Sequence, residues 1–322
     1  MGSALHLPFD PARADVHGSA VACGDLVTLT PLTAGWIWAG LRVLRLSPGE
    51  CRSVATGPAE VFVLPLAGSV SVEVAPAADA GRIEASFELA GRRSVFTRVS
   101  DFAYAGRDSV LRLVSAGGAE VALPSAVCER RRPPRYGPAE EAPVEVRGAG
   151  AASRQVTNFG VPGVWDHAER LSACEVITPP GNWSSYPAHK HDVTVPCPVA
   201  NEEIYFYRIA GADQVCPDRT GFGLHRTYTG PEHDRAGLGA LDVLTEVRDL
   251  DVVLVPYGYH GPCVAAPGYP MYYLNVLAGT GSGPDRSMAF CDDPAHGWIR
   301  DSWDGRSPDP RLPLTSATEP AA

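Results

Sequence analysis

The chain has 322 residues, 45% of them apolar and 20% charged, with a formal net charge of -10. That apolar share can build packed cores and is unlike a disordered chain, and the length suits about two domains. The acidic balance lacks the basic footprint of a nucleic-acid binder, and no apolar run reaches the roughly 18 residues of a membrane span.

The opening residues Met1–Pro8 (MGSALHLP) show neither the basic region nor the apolar stretch of a secretory leader. None of the eight cysteines forms a C-x-x-C pair, which argues against a zinc knuckle or a thioredoxin motif. A cytoplasmic protein with reduced thiols is expected. The counts of 33 glycines and 30 prolines point to many turns and short strands. Strands are predicted over 36–46, 60–67, 70–74, 110–114 and 120–123, all rich in β-branched or aromatic residues. Composition then shifts between Glu129 and Ala152, where arginines, prolines, acidic residues and a Gly/Ala run follow one another. Strands resume at 171–177, 203–209, 252–256 and 271–278. The expected organisation is an N-terminal unit over 1–135, a linker over 136–152, a second unit over 153–306, and a Pro/Ser/Thr-rich tail over 307–322 that is poorly ordered or packed on a neighbour. Strand-dominated halves of similar length make the fold class all-β, each half a closed or sandwiched unit such as a jelly roll.

Nine histidines are present, and three of them carry a pattern. His189 and His191 are two residues apart, so on a strand both imidazoles share one face while Lys190 takes the other. Glu203 opens the next strong strand, where Glu203, Tyr205 and Tyr207 share a face opposite Ile204, Phe206 and Arg208. His260 follows Val252–Pro256 through a Gly-containing turn. Three imidazoles and one carboxylate suit a borderline divalent metal (Zn, Mn, Fe or Ni), and the affinity order of these metals leaves the choice open. The first half has no H-x-H, so no comparable metal site is expected there. His225, His233 and His296 are expected in loop-like polar surroundings.

These residues resemble the cupin superfamily, whose motifs combine H-x-H with a Glu and P-x-G with a His. The runs Gly181–Asp192 (GNWSSYPAHKHD), Glu202–Arg208 (EEIYFYR), Val255–His260 (VPYGYH) and Tyr272–Val276 (YYLNV) are similar to the 5-deoxy-glucuronate isomerases of myo-inositol catabolism. The resemblance covers most of 154–300 and is weaker over 25–130. It implies a bicupin of two jelly-roll β-barrels. It also implies a metal held by His189, His191, Glu203 and His260, with Zn or Mn favoured and Fe or Ni as other options, and it selects Glu203 over Glu202. Eleven residues separate His191 from Glu203, a gap that favours this branch over the related pectin-pathway ketol-isomerase.

The reaction so implied is aldose–ketose isomerisation of 5-deoxy-D-glucuronate to 5-dehydro-2-deoxy-D-gluconate through an enediolate. A divalent metal would stabilise its developing charge. Candidates for the proton-transfer group are Tyr205, Tyr207, Tyr257, Tyr259, Tyr273 and Glu202. Candidates to meet the substrate are Arg226, Arg208, Lys190 and Tyr257. Arg208 and Lys190 are expected on faces opposite the ligands, which leaves Arg226 as the preferred cation. The partner is a small-molecule sugar acid, with no nucleic acid or membrane, and homo-oligomer formation is expected by analogy. The competing readings are a metal-dependent dioxygenase of the same ligand set and a non-catalytic sugar-acid-binding cupin.

Overall fold

A computed structural model describes residues 5–10, 25–195 and 200–318. Its strands form three antiparallel sheets. The first half builds one nine-stranded sheet around Ala59–Pro76, an 18-residue strand that serves both layers. One end pairs with Phe102–Ala105 and Ala119–Val127; the other pairs with Ala85–Arg92 and Ser109–Val114. The change of partner falls at Gly68, which has φ of +78° and whose missing Cβ would lie 2.3 Å from the Gly118 carbonyl oxygen. Only glycine accommodates that backbone and that approach. Between the layers lie Leu44, Val61, Val63, Val72, Leu111, Leu113 and Val121, so the interior of this half is aliphatic.

The second half is two facing sheets. One is seven-stranded, in the order His6–Leu7, Val252–Val255, Asn201–Ile209, Met271–Gly279, Ser172–Thr178, Arg154–Gly160 and Val144–Arg147. The other carries Asp242–Val247, Gly223–Tyr228, Tyr259–Ala265, His189–Lys190 and Cys291–Asp292, with Trp183–Ser184 beside Tyr259–Ala265. The two halves are β-sandwich units of jelly-roll type that share one core. Alternation along Asn201–Ile209 sends Ile204 and Phe206 into a shared core with Leu41, Phe62, Phe102, Phe159, Leu274 and Val276, while Tyr205 and Tyr207 enter a separate core inside the second half.

Two carboxylates tie the halves together reciprocally. Glu60, fully buried, accepts from the backbone N–H groups of Glu169, Arg170 and Leu171 at 2.7, 2.5 and 2.7 Å, and from the Tyr104 hydroxyl at 2.7 Å. Glu202 accepts from the N–H groups of Ile37, Trp38 and Ala39 at 2.7, 2.8 and 2.8 Å. Each is the second residue of its strand, and each reaches the other half. The residue after it differs: Val61 in the first half, Glu203 in the second.

Three expectations change. Residues 136–152 are not a bare connector: Val144–Arg147 pairs with Arg154–Gly160 as the edge of the second half's sheet. The described part of the tail, 307–318, packs on its own chain, where the Gln155 amide receives the N–H groups of Leu314 and Thr315 and donates to the Thr315 hydroxyl. Cys51, Cys128, Cys174, Cys216 and Cys263 are free, but Cys291 is disulfide-bonded, contrary to the expectation of reduced thiols.

Replacing Glu60 by Ala strands three buried N–H groups and a hydroxyl, each costing about 1–3 kcal/mol. With partial relaxation, a total loss of roughly 3–5 kcal/mol is expected, read as a lower urea midpoint. Glu202→Ala acts at a partly exposed site and should cost about 1–2 kcal/mol, with bound metal unchanged. An unaltered midpoint for Glu60→Ala would show that the clamp stabilises nothing.

Candidate metal centre

The candidate ligand side chains come from both sheets of the second half. His189 pairs in register with His260 across neighbouring strands, and His191 follows His189 on the same face. Glu203 stands on the opposite sheet, between Val255 and Leu277 in register. The turn that delivers His260 needs Gly258, at φ +93°, where a Cβ would lie 2.8 Å from the Tyr228 carbonyl oxygen. Asp192 couples this turn to the H-x-H segment. Its carboxylate accepts from the Gly258 N–H at 2.8 Å, from His233 Nε2 at 2.9 Å, and from the N–H and hydroxyl of Thr194 at 2.9 and 2.6 Å. Burial works against its charge, but these donors outweigh it and hold its pKa below the usual carboxylate range.

Ligand atoms of His191, Glu203 and His260 lie within 4.8 Å of one another, all buried. His191 Nε2 is 2.9 Å and His260 Nε2 is 3.0 Å from the same oxygen, Glu203 Oε2. The second contact is not a hydrogen bond, and His260 Nε2 is a buried nitrogen with no hydrogen-bond partner. The His189 ring stands beside them, 4.6 Å from that of His260.

The donor set fits a divalent cation. The Nδ1 atoms of His189, His191 and His260 face the carbonyl oxygens of Pro187, Asn201 and Gly258 at 3.1, 3.2 and 3.3 Å. A carbonyl can only accept, so each Nδ1 carries a proton; that leaves the unpartnered His260 Nε2 with a lone pair, and a cation taking the place of the His191 Nε2–Glu203 hydrogen bond would meet a second one. The other Glu203 oxygen, Oε1, accepts from Asn275 Nδ2 at 2.6 Å. Lone pairs and a carboxylate converging in a buried place call for a positive charge between them. Burial, followed by the field of His260, holds the His189 pKa well below its ordinary value, so this imidazole is neutral. For Glu203 burial opposes ionisation, yet His260 and His191 prevail and its pKa falls.

The cluster opens into a cavity of about 670 Å³ whose lining includes Arg154, Ser185, Tyr205, Tyr273 and Asn275. The Ser185 hydroxyl lies 3.2 Å from the Tyr205 hydroxyl and 3.0 Å from that of Tyr273. Burial raises the pKa of both phenols.

The other residues singled out in the sequence lie elsewhere. Glu202 is occupied by the first half's backbone, because it is one residue out of phase with Glu203. Arg208 pairs with Glu120 at 2.6 Å and Asp249 at 2.8 Å on the side facing the first half. Lys190 is fully buried behind the ligand strand and donates to the Thr194 carbonyl and hydroxyl and to Asp192. Arg226, the preferred substrate cation, pairs with Asp242 at 3.0 Å and packs on Tyr228 at the partly exposed edge. Tyr257 donates to the Gly239 carbonyl oxygen. Tyr259 packs beside Tyr228 and His233 with its hydroxyl on Glu232, on the face opposite His260. Tyr207 lies deeper than the cavity wall and is bonded to His225 at 2.6 Å. His225 and His233 are not in open loops: both are buried, and burial lowers the His225 pKa to about 3.

Asn275, Ser185 and Arg154 escaped the sequence reading. Asn275 shares a strand face with Tyr273 at a spacing of two, a signal that was legible; Arg154 sits beside the supposed linker, where nothing marks it as inward-facing. Removing the Asn275 amide frees the Glu203 carboxylate to turn. Asn275→Ala is therefore expected to weaken metal affinity about 10–100-fold, measured by competition with a chromogenic chelator, with the urea midpoint little changed. Unchanged affinity would remove Asn275 from the support of the site.

The KduI/IolB family model matches residues 16–299. The 5-deoxy-glucuronate isomerase of Geobacillus kaustophilus is 35% identical over 281 residues, spanning 87% of this chain and 92% of that protein. Its counterpart in Bacillus subtilis strain 168 is 34% identical over 261 residues, 80% of this chain and 86% of that one. Among solved structures, an IolB-like protein of Salmonella typhimurium LT2 superposes with a TM-score of 0.74 at 30% identity, covering 92% of this chain and 99% of its own. Oxalate decarboxylase of Bacillus subtilis shares the fold alone, with a TM-score of 0.58 at 13% identity over 91% of this chain and 80% of its own. With its fold, its His/Glu cluster and these relatives in agreement, the chain belongs to the KduI/IolB family of isomerases.

Proposed function

We propose that this chain isomerises 5-deoxy-D-glucuronate to 5-dehydro-2-deoxy-D-gluconate in myo-inositol breakdown, with Zn or Mn as its metal. The observation that carries the reading is the convergence of two Nε2 atoms, one of them without a hydrogen-bond partner, on a Glu203 oxygen at the wall of a cavity large enough for a six-carbon acid. In this reading His191, Glu203 and His260 hold the cation, with His189 as a fourth ligand. Bound there, a divalent cation supplies Lewis acidity to the carbonyl oxygen and the neighbouring hydroxyl.

The protein's own groups bind the sugar and place hydrogen-bond donors around it. Tyr205 and Tyr273 keep their protons, because burial makes their ionisation costly. They act as hydrogen-bond donors, and as holders of a proton shared through Ser185. The apolar wall given by Val156, Val176 and Leu277 limits water around the sugar.

The deciding experiment is to quantify metal in the purified protein and follow 5-deoxy-D-glucuronate by NMR. Ketose should form, stop when a chelator strips the metal, and resume on adding Zn or Mn. Tyr273→Phe should keep its metal and lose roughly 100-fold in kcat. Metal present without conversion, or oxygen uptake in place of isomerisation, would overturn the reading.

A further inference from the structure

Four guanidinium groups line the cavity: Arg147, Arg154, Arg286 and Arg300. Three are already engaged. Arg147 pairs with Glu145 at 2.7 Å. Arg300 makes a two-pronged contact with Asp292, at 2.5 and 2.8 Å. Arg286 donates to the carbonyl oxygens of Leu171 and Trp165. Arg154 differs. It is 93% buried, being 7% exposed. It forms no ion pair among the described residues, and its one hydrogen bond there runs from Nη1 to the Ala152 carbonyl oxygen at 3.1 Å.

A guanidinium has five N–H donors and stays charged. Burying it without an anion is costly. Its surroundings offset that cost only in part. Arg154 and Arg300 each stand 5.5 Å from the Trp303 ring, a cation–π contact, and burial, with the fields of Arg300 and Arg147, lowers the Arg154 pKa to about 10 against the opposing fields of Tyr273 and Asp292. At neutral pH it therefore remains a cation, and the carboxylate whose field it feels, Asp292, is already paired with Arg300. The wall it belongs to continues to the metal cluster: Arg300 packs on Phe290, and Phe290 packs on the His189 ring.

We propose that Arg154 is the anion anchor of the cavity and receives the carboxylate of a sugar acid whose reacting end lies at His191, Glu203 and His260. This rests on the function proposed above, and it names the residue that makes the enzyme prefer an acid to a neutral sugar. The carboxylate is the end of the molecule remote from the aldehyde, so the anchor fixes which end meets the metal site. Arg154 is thus a specificity determinant on the wall of the cavity.

The test is direct binding, by calorimetry on the full metal-loaded chain, of D-glucuronate and D-glucose, which differ at one carbon as carboxylate against hydroxymethyl. The parent should favour glucuronate, and Arg154→Gln should abolish the preference through a roughly 10–100-fold loss of glucuronate affinity alone. Arg154→Lys should recover part of it, and metal content should stay constant throughout. Arg226→Gln, which removes an arginine outside the cavity, should leave the preference intact. No preference in the parent, or a preference that survives Arg154→Gln, would overturn the assignment. Failure to convert 5-deoxy-D-glucuronate, with the preference present and dependent on Arg154, would instead sink the proposed reaction and leave the anion anchor standing.

Discussion

The structure depends on the period-two alternation of a single strand, Asn201–Ile209. Its odd-numbered positions from Glu203 to Tyr207 serve the inside of the second jelly roll, while Ile204, Phe206 and Arg208 serve the seam with the first. A slip of one residue would place aromatic and aliphatic groups at the metal site and a carboxylate in the seam. The register is pinned by nine successive pairs with Met271–Gly279 and by the Glu202 carboxylate at its start. The chemistry and the join between halves are therefore two faces of the same backbone, and neither can be altered without regard to the other.

The His/Glu cluster inherits its geometry from main-chain carbonyls. Three imidazoles are oriented by three backbone oxygens, and the one carboxylate by an amide from the adjacent strand. Backbone atoms cannot be exchanged by substitution, so ring orientation follows from the fold itself. Asp192 extends this control. By binding Gly258 and Thr194 at once it holds the two histidine-bearing segments together.

Much of this was legible in the sequence because strands encode their faces. The H-x-H pair, the Glu203/Tyr205/Tyr207 face and the outward direction of Lys190 and Arg208 all follow from alternation, and the resemblance supplied the fold. The failures share a cause. Arg226, Tyr257 and Tyr259 have suitable chemistry, but their surroundings are set by pairings distant in sequence, as between Gly223–Tyr228 and Tyr259–Ala265. Arg154 was passed over because its neighbours Trp303 and Arg300 lie about half the chain away. The buried state of His225 and His233 was hidden for the same reason: local polarity says nothing about what covers a residue.

The reciprocal clamp of Glu60 and Glu202 bears on how such a protein can change. The first half carries Val61 where the second carries Glu203, and its interior is filled with aliphatic side chains. Yet each half now completes the hydrogen bonding of the other's main chain. Discarding the first half would leave buried N–H groups without acceptors and a carboxylate without donors in the half that remains. Each half is thus part of the other's folding unit, and a change that removes one must replace the acceptors it supplied.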